Sequence, residues 1–204
     1  MILKRIVFLF VLMLPALSVS ANWDKASDVM ADATSRMLAL IEDEELKKPE
    51  SIDQLMTGIE AIVEPIVDYE YIGKSVMGKF VRRATDEQID RFAEVFKTTL
   101  LRTYAKAIVG YEFESYEVLP NSVESPEPNK QIVNVELTSS DQRKYSIVYY
   151  MVLEQDRWTL VNVLIDGVNL RITFRNQFSG LYEEHSTIDS VIEHWAKAMS
   201  DEGG

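Results

Sequence analysis

The stretch KYSIVYYMVL, residues 144–153, decides how this chain folds. From Tyr145 to Leu153 only Ser146 interrupts a run of large apolar and aromatic side chains. An extended chain sends alternate side chains to opposite sides, so Tyr145, Ile147, Tyr149, Met151 and Leu153 share one face, and Val148, Tyr150 and Val152 the other. Neither face is suited to water. The segment therefore reads as a central strand, with apolar material expected on both sides.

The period of two continues outward from it. Residues 132–138 alternate, with Val133, Val135 and Leu137 turned inward and Asn134 and Glu136 outward, and a turn at 139–142 joins them to the central strand. Gln155 and Asp156 turn the chain again into 158–165. Residues 111–119 supply a fourth strand, set apart by a loop containing Pro120, Asn121, Pro126, Pro128 and Asn129. An antiparallel meander of about four strands follows.

Before the strands the period is helical. Trp23, Ala26, Met30, Ala33, Met37 and Leu40 or Ile41 recur at steps of three and four, and Pro49 breaks the chain after the charged run 42–48. Ser51 and Gln54 read as a capping box opening a second helix, whose apolar stripe runs from Ile52 to Ile66 until Pro65 disturbs it. Asp68 can cap a third helix carrying Tyr69, Ile72, Val76, Met77 and Phe80. Thr85 and Gln88 form another capping box, and the helix they open presents Ile89, Phe92, Phe96, Leu100, Tyr104 and Ile108 on one side until Gly110 stops it. After the strands come helices over 168–183 and 187–199, the second with Ile188, Val191, Ile192, Trp195 and Met199 in a stripe. Helices first and a short sheet later imply an α+β domain with helices packed on one sheet face. Periodicity leaves open whether the abundant Met, Tyr and Phe fill a core or line a cavity.

Composition bounds the function. In 204 residues, 47% hydrophobic and 26% charged, a folded globular protein is expected. Lys4 and Arg5 precede the apolar run 6–14, then Pro15 and the small-residue pattern Val19-Ser20-Ala21, which reads as a secretory signal over 1–21 cleaved after Ala21. The run is too short for the roughly 20 residues that cross a bilayer. Residues 22–204 then form a single exported domain. There is no cysteine, hence no disulfide, thiol nucleophile or lipid-attachment cysteine. The net charge of −12 becomes two units more negative once the signal is removed, which disfavours nucleic acid and anionic membrane surfaces as partners. Lys79, Arg82 and Arg83 are the local exception.

Catalytic signatures are sparse. His185 and His194 stand nine apart, missing the spacing that puts two metal ligands on one helix face, so both read as solvated surface residues. No G-x-S-x-G, H-E-x-x-H, phosphate-cradling glycine loop or dinucleotide fingerprint occurs. Carboxylate pairs such as Glu42 and Glu45 sit in a polar segment where a raised pKa is hard to obtain. No metal and no cofactor is expected.

The segment WTLVNVLIDGVNLRITFRNQF, residues 158–178, combines a strand with Trp then Val-Asn-Val, an acidic-Gly-Val turn, and a helix with Phe-Arg-x-Gln-Phe. Together with VDYEYIGKSVMGKFVRRATDEQIDRFAEVFKTTLLRTYAKAI, residues 67–108, it resembles the periplasmic phospholipid-binding proteins of the maintenance of lipid asymmetry pathway, the MlaC or toluene-tolerance family. The likeness covers roughly 62–181. Asn162 stands where the family usually has Asp, Asn169 where Ser is usual, and Phe174 where Tyr is common, departures that bear on pocket polarity.

The resemblance implies a fold related to nuclear transport factor 2, with a twisted antiparallel sheet wrapped by helices around an apolar cavity. It also implies a non-enzymatic carrier that binds phospholipid as cargo and maintains outer-membrane lipid asymmetry. The implied partners are an inner-membrane transporter driven by ATP and an outer-membrane lipoprotein complex with porin, without stable membrane insertion. Two tails of about fifteen methylenes represent roughly 24 kcal/mol of apolar exposure that such a carrier must prevent, while the headgroup phosphate stays near the mouth in water.

Stripe and alternation then nominate the lipid-binding lining. The third helix offers Ile72, Val76, Met77 and Phe80, and the fourth Phe92, Phe96, Leu100 and Tyr104. The strands offer Val133, Val135, Leu137, Tyr145, Ile147, Tyr149, Met151, Trp158, Val163 and Ile165, with Val168 just beyond. Val148, Tyr150 and Val152 are expected to pack on a helix outside the cavity. Two other readings are a small-molecule enzyme on a cone-like α+β fold, which needs an acid–base pair in the cavity, and a ligand-free periplasmic interaction module with a solid core.

Overall fold

KYSIVYYMVL lies within β3 (Lys144–Glu154), the middle strand of an open five-stranded antiparallel sheet. Its companions, in spatial as in chain order, are β1 (Phe113–Leu119), β2 (Lys130–Ser139), β4 (Arg157–Ile165) and the two-residue β5 (Val168–Asn169). The structure is a computed structural model that describes residues 17–121 and 125–202. The leader expected over 1–21 lies outside the described residues as far as residue 16.

The turns follow from local backbone chemistry. Gln155 and Asp156 both take positive φ, as do Asp166 and Gly167, and two-residue connections of that kind match the right-handed twist of adjoining strands. The second of these adds β5, a strand the sequence does not suggest, because Val168 was expected to begin a helix. Instead Val168 pairs with Ile165, and Asn169 caps the helix that follows by accepting from the Ile172 amide at 3.2 Å.

Among the described residues there are six α-helices, α1 (Leu17–Ile41), α2 (Ile52–Val63), α3 (Tyr69–Met77), α4 (Asp86–Ile108), α5 (Leu170–His185) and α6 (Ile188–Glu202), of which α1, α3 and α5 pack on the sheet and α6 packs on α4 and α5. None of the described helices is long and apolar enough to cross a membrane. The Thr85–Gln88 capping box forms in full, and Asp68 accepts from the Tyr71 amide at 2.8 Å. Ser51 makes no capping bond. A 3-10 turn over Pro49–Ser51 runs straight into α2 and holds Ser51 at ψ 4°, outside the extended conformation that a capping serine needs. Phe80 likewise leaves the third helix, because Gly78 at φ 55° ends α3 and a 3-10 turn (Gly78–Arg83) follows.

Three apolar clusters result. The first is aromatic and helical: Phe92, Phe96, Phe174, Phe178 and Trp195 interlock from α4, α5 and α6, several edge to face at centroid separations of 5.0–5.3 Å. A second joins Ala26 and Met30 of α1 to Val133, Val135, Met151 and Trp158 on the sheet's inner face. Leu55, Ile59, Leu101 and Ala105 make the third, between α2 and α4. Lys97 of α4 bolts that pair together, reaching Glu60 at 2.8 Å and Glu64 at 2.7 Å, and these two carboxylates hold its ammonium well above the usual lysine range.

The sheet's outer face corrects an expectation. Val148, Tyr150 and Val152 are half-buried and belong to none of the three clusters. Their cover comes from cross-strand neighbours such as Ile132, itself 43% exposed, and Leu164. The helical stripes are already spent on each other and on the inner face. The histidines also differ from expectation: the chain reverses at Ser186 (φ 66°) so that His185 and His194 stack at 3.9 Å, both half-buried.

Candidate functional site: two adjoining apolar cavities

Where the three clusters meet, they do not close. A cavity of about 260 Å³ lies between α2, the α2–α3 link, α4, β4 and the start of α5. A second, of about 180 Å³, lies under α1 between α2 and the strands. Met37, Val63 and Leu160 belong to the walls of both.

A bulge in β4 shapes the first cavity. Met151 pairs with Leu160 but Tyr150 with Asn162, leaving Val161 as an extra residue. The Leu160 amide turns out of the β3–β4 ladder and donates to the Ile66 carbonyl at 2.6 Å, tying the α2–α3 link to the sheet. Four successive residues, Leu160, Val161, Asn162 and Val163, thereby reach the wall, which strict alternation would forbid.

The nominated residues divide into four groups. Ile72, Phe96, Leu100, Tyr104, Val163 and Ile165 line the first cavity, and Leu137, Ile147 and Tyr149 the second. Val76, Met77, Phe80 and Phe92 do not reach either cavity, because they are consumed by the aromatic helical cluster. Val133, Val135, Met151 and Trp158 are sealed beneath α1 in the sheet-side cluster, with Tyr145 packed beside them against Tyr111 and Phe113. Val168 is 54% exposed, since β5 carries it past the end of β4. Alternation put Tyr145, Ile147, Tyr149 and Met151 on the inner face correctly, but only the middle two meet open space.

Other lining residues were not nominated. Met37, Ile59 and Val63 come from stripes of α1 and α2 that the sequence does display. Asn162, Leu170 and Arg171 come to the wall through the bulge and the β5 turn, which leave no periodic signal.

The titratable side chains of these walls are few. Burial pushes the Tyr69 phenol up to about 12, with the Glu64 charge adding to it, and burial pushes Tyr149 up to about 12 against the lowering effect of Thr34. Tyr104, in the wall of the first cavity and 36% exposed, is also raised by burial. All three phenols are neutral at physiological pH. Arg171 completes the set, and among the described residues neither wall contains a carboxylate or a histidine. No group of three or more His, Asp or Glu side chains suited to a metal occurs among the described residues.

Comparison with known proteins agrees with this architecture. The chain is 27% identical over 197 residues to the toluene tolerance protein ttg2D of Pseudomonas putida, an alignment spanning 96% of this chain and 90% of that protein. Its fold matches that of a phospholipid-binding protein from Ralstonia solanacearum, solved in complex with a phospholipid, with a TM-score of 0.74 at 20% identity over 87% of this chain and 98% of that one. The family described as MlaC protein matches residues 31–197. With the match running from α1 to α6, the chain belongs to the MlaC family.

Proposed function

We propose that this protein is a periplasmic phospholipid carrier that shelters acyl chains in the two adjoining cavities and passes lipid between outer- and inner-membrane complexes. The observation that carries the reading is the wall itself. Three aliphatic residues are common to both cavities, and the remaining surface is almost wholly aliphatic or aromatic, in a chain of the MlaC family. Space of this kind is a poor host for water and a good one for methylenes, each worth about 0.8 kcal/mol when buried. The neutral phenols and the absence of a carboxylate or histidine from the described walls leave no base to run acid–base chemistry, which favours a carrier over an enzyme.

Such a carrier needs no cofactor. It moves cargo by equilibrium with its docking partners, here proposed as an ATP-driven transporter of the inner membrane and a lipoprotein–porin complex of the outer membrane. An acidic surface keeps it from adsorbing to anionic lipid between those stops. The test is extraction: the mature chain, exported to the periplasm and purified without detergent, should release phospholipid into organic solvent in stoichiometric amount. A protein that yields none would overturn the reading.

A further inference from the structure

Arg171 is out of place in such a wall. It sits in the first turn of α5, lines the 260 Å³ cavity and is half-buried, while its Nε is fully buried with no hydrogen-bond partner. No carboxylate among the described residues lies within ion-pairing distance of its guanidinium. That is unusual in a chain where 33 acidic residues outnumber 21 basic ones. Its neighbours do not take up the charge. Asp166, the nearest acid in sequence, accepts from the Ser146 amide at 2.8 Å, and the first turn of α5 has no acidic residue.

The surroundings define what would satisfy it. The backbone amides of Arg171 and Ile172 are already taken by the side chains of Asn162 and Asn169, so the guanidinium is the donor left open. Apolar side chains stand around it: Ile165 and Leu170 in the wall, and Ile172, 50% exposed, next to it. A buried guanidinium N–H without an acceptor is costly, and a guanidinium matches the paired oxygens of a phosphodiester in a fork geometry. We infer that Arg171 binds the phosphate of the cargo headgroup at the cavity mouth, so that the protein selects phospholipid over neutral diacylglycerol with the same tails. This rests on the carrier reading and adds to it a group that reads the head rather than the tails.

The test loads delipidated mature protein from mixed micelles of dipalmitoylphosphatidylglycerol and dipalmitoylglycerol, then measures both retained lipids by mass spectrometry. The wild type should favour the phospholipid by about tenfold or more, the discrimination expected of one charged hydrogen-bonded contact. Arg171→Met should bring the ratio near one through loss of phospholipid, and Arg171→Lys, which keeps the charge without the fork, should fall between. Millimolar inorganic phosphate added to the wild type should leave the ratio intact, because free phosphate lacks the tails that hold the headgroup at the mouth; loss of the ratio would overturn the assignment. So would a wild type that retains both lipids equally, or an Arg171→Met protein that keeps the wild-type preference. A wild type that retains neither lipid would overturn the carrier reading together with this one.

Discussion

Two neighbouring regions of this molecule are both strongly apolar and behave differently. Around Phe92, Phe178 and Trp195, aromatic rings from three helices meet edge to face and leave no room, and all three side chains are 0% exposed. One helical turn along α4, Phe96 and then Leu100 and Tyr104 pass from that cluster to the wall of the first cavity. Rings with fixed shape can interlock from several helices at once. Aliphatic side chains around the β4 bulge face a gap that no neighbour enters, because the bulge and the Leu160–Ile66 hydrogen bond hold the α2–α3 link on the sheet instead of letting it collapse inward. One α-helix thus serves a sealed region and an open one.

The sharpest way to break that contrast is to remove a ring from the sealed side. Phe92→Ala should cost about 3–5 kcal/mol in denaturant unfolding, because interlocked neighbours cannot relax into the space. If the loss is below about 1 kcal/mol, the cluster is not the support it is taken to be. Adding volume tests both sides at once. Val76→Phe, at a 0% exposed position of the sealed cluster, should cost about 1–3 kcal/mol through overpacking. Val63→Phe enlarges a side chain common to the walls of both cavities, and should leave stability within about 1 kcal/mol of wild type while at least halving the lipid extracted from the purified protein. Equal destabilisation by the two variants would mean that the cavities are as tightly filled as the core.

The same contrast explains what could be read from the sequence. Stripes and alternation report which face of an element avoids water, and they placed α1 to α6, four of the five strands and the inner face of β3. They carry no information on depth, so Met77 and Phe92 looked as suitable for a cavity as Ile72 and Phe96. Whether an apolar side chain finds a partner across the gap depends on where non-consecutive elements come to rest. Here that is governed by an extra residue at Val161 and a two-residue strand after Gly167, both silent in periodicity. Arg171 was within the quoted family motif, yet nothing in its neighbours signalled that its charge would go unpaired. The histidine pair was hidden for a related reason, since a spacing of nine excludes a shared helix face but not contact across a reversal at Ser186.

Smaller effects sharpen the boundary between wall and core. Tyr149 ionises near 10 in the unfolded chain, whereas burial in the second cavity's wall pushes it up to about 12 in the folded one. Between those values the unfolded state loses its proton first, so stability is intact below pH 10 and falls as pH rises toward 12. Tyr149→Phe should flatten the alkaline limb of a plot of Tm against pH and leave the neutral value nearly unchanged; an unaltered limb would place the phenol in water rather than in the wall.

The least of these effects concerns the bolt between α2 and α4. Lys97 is only 14% exposed at its side chain, but Glu60 and Glu64 are 42% and 54% exposed, so water screens the pair on the acidic side. Lys97→Met keeps an unbranched apolar side chain and gives up the charge, and with it the approach of the ammonium to 5.6 Å over the Tyr69 ring. The expected cost is below about 1 kcal/mol, shrinking further in high salt. A larger loss, insensitive to salt and accompanied by reduced lipid retention, would mean that this ion pair, rather than the apolar contacts of Leu55, Ile59, Leu101 and Ala105, fixes the distance between α2 and α4 and so holds the first cavity open.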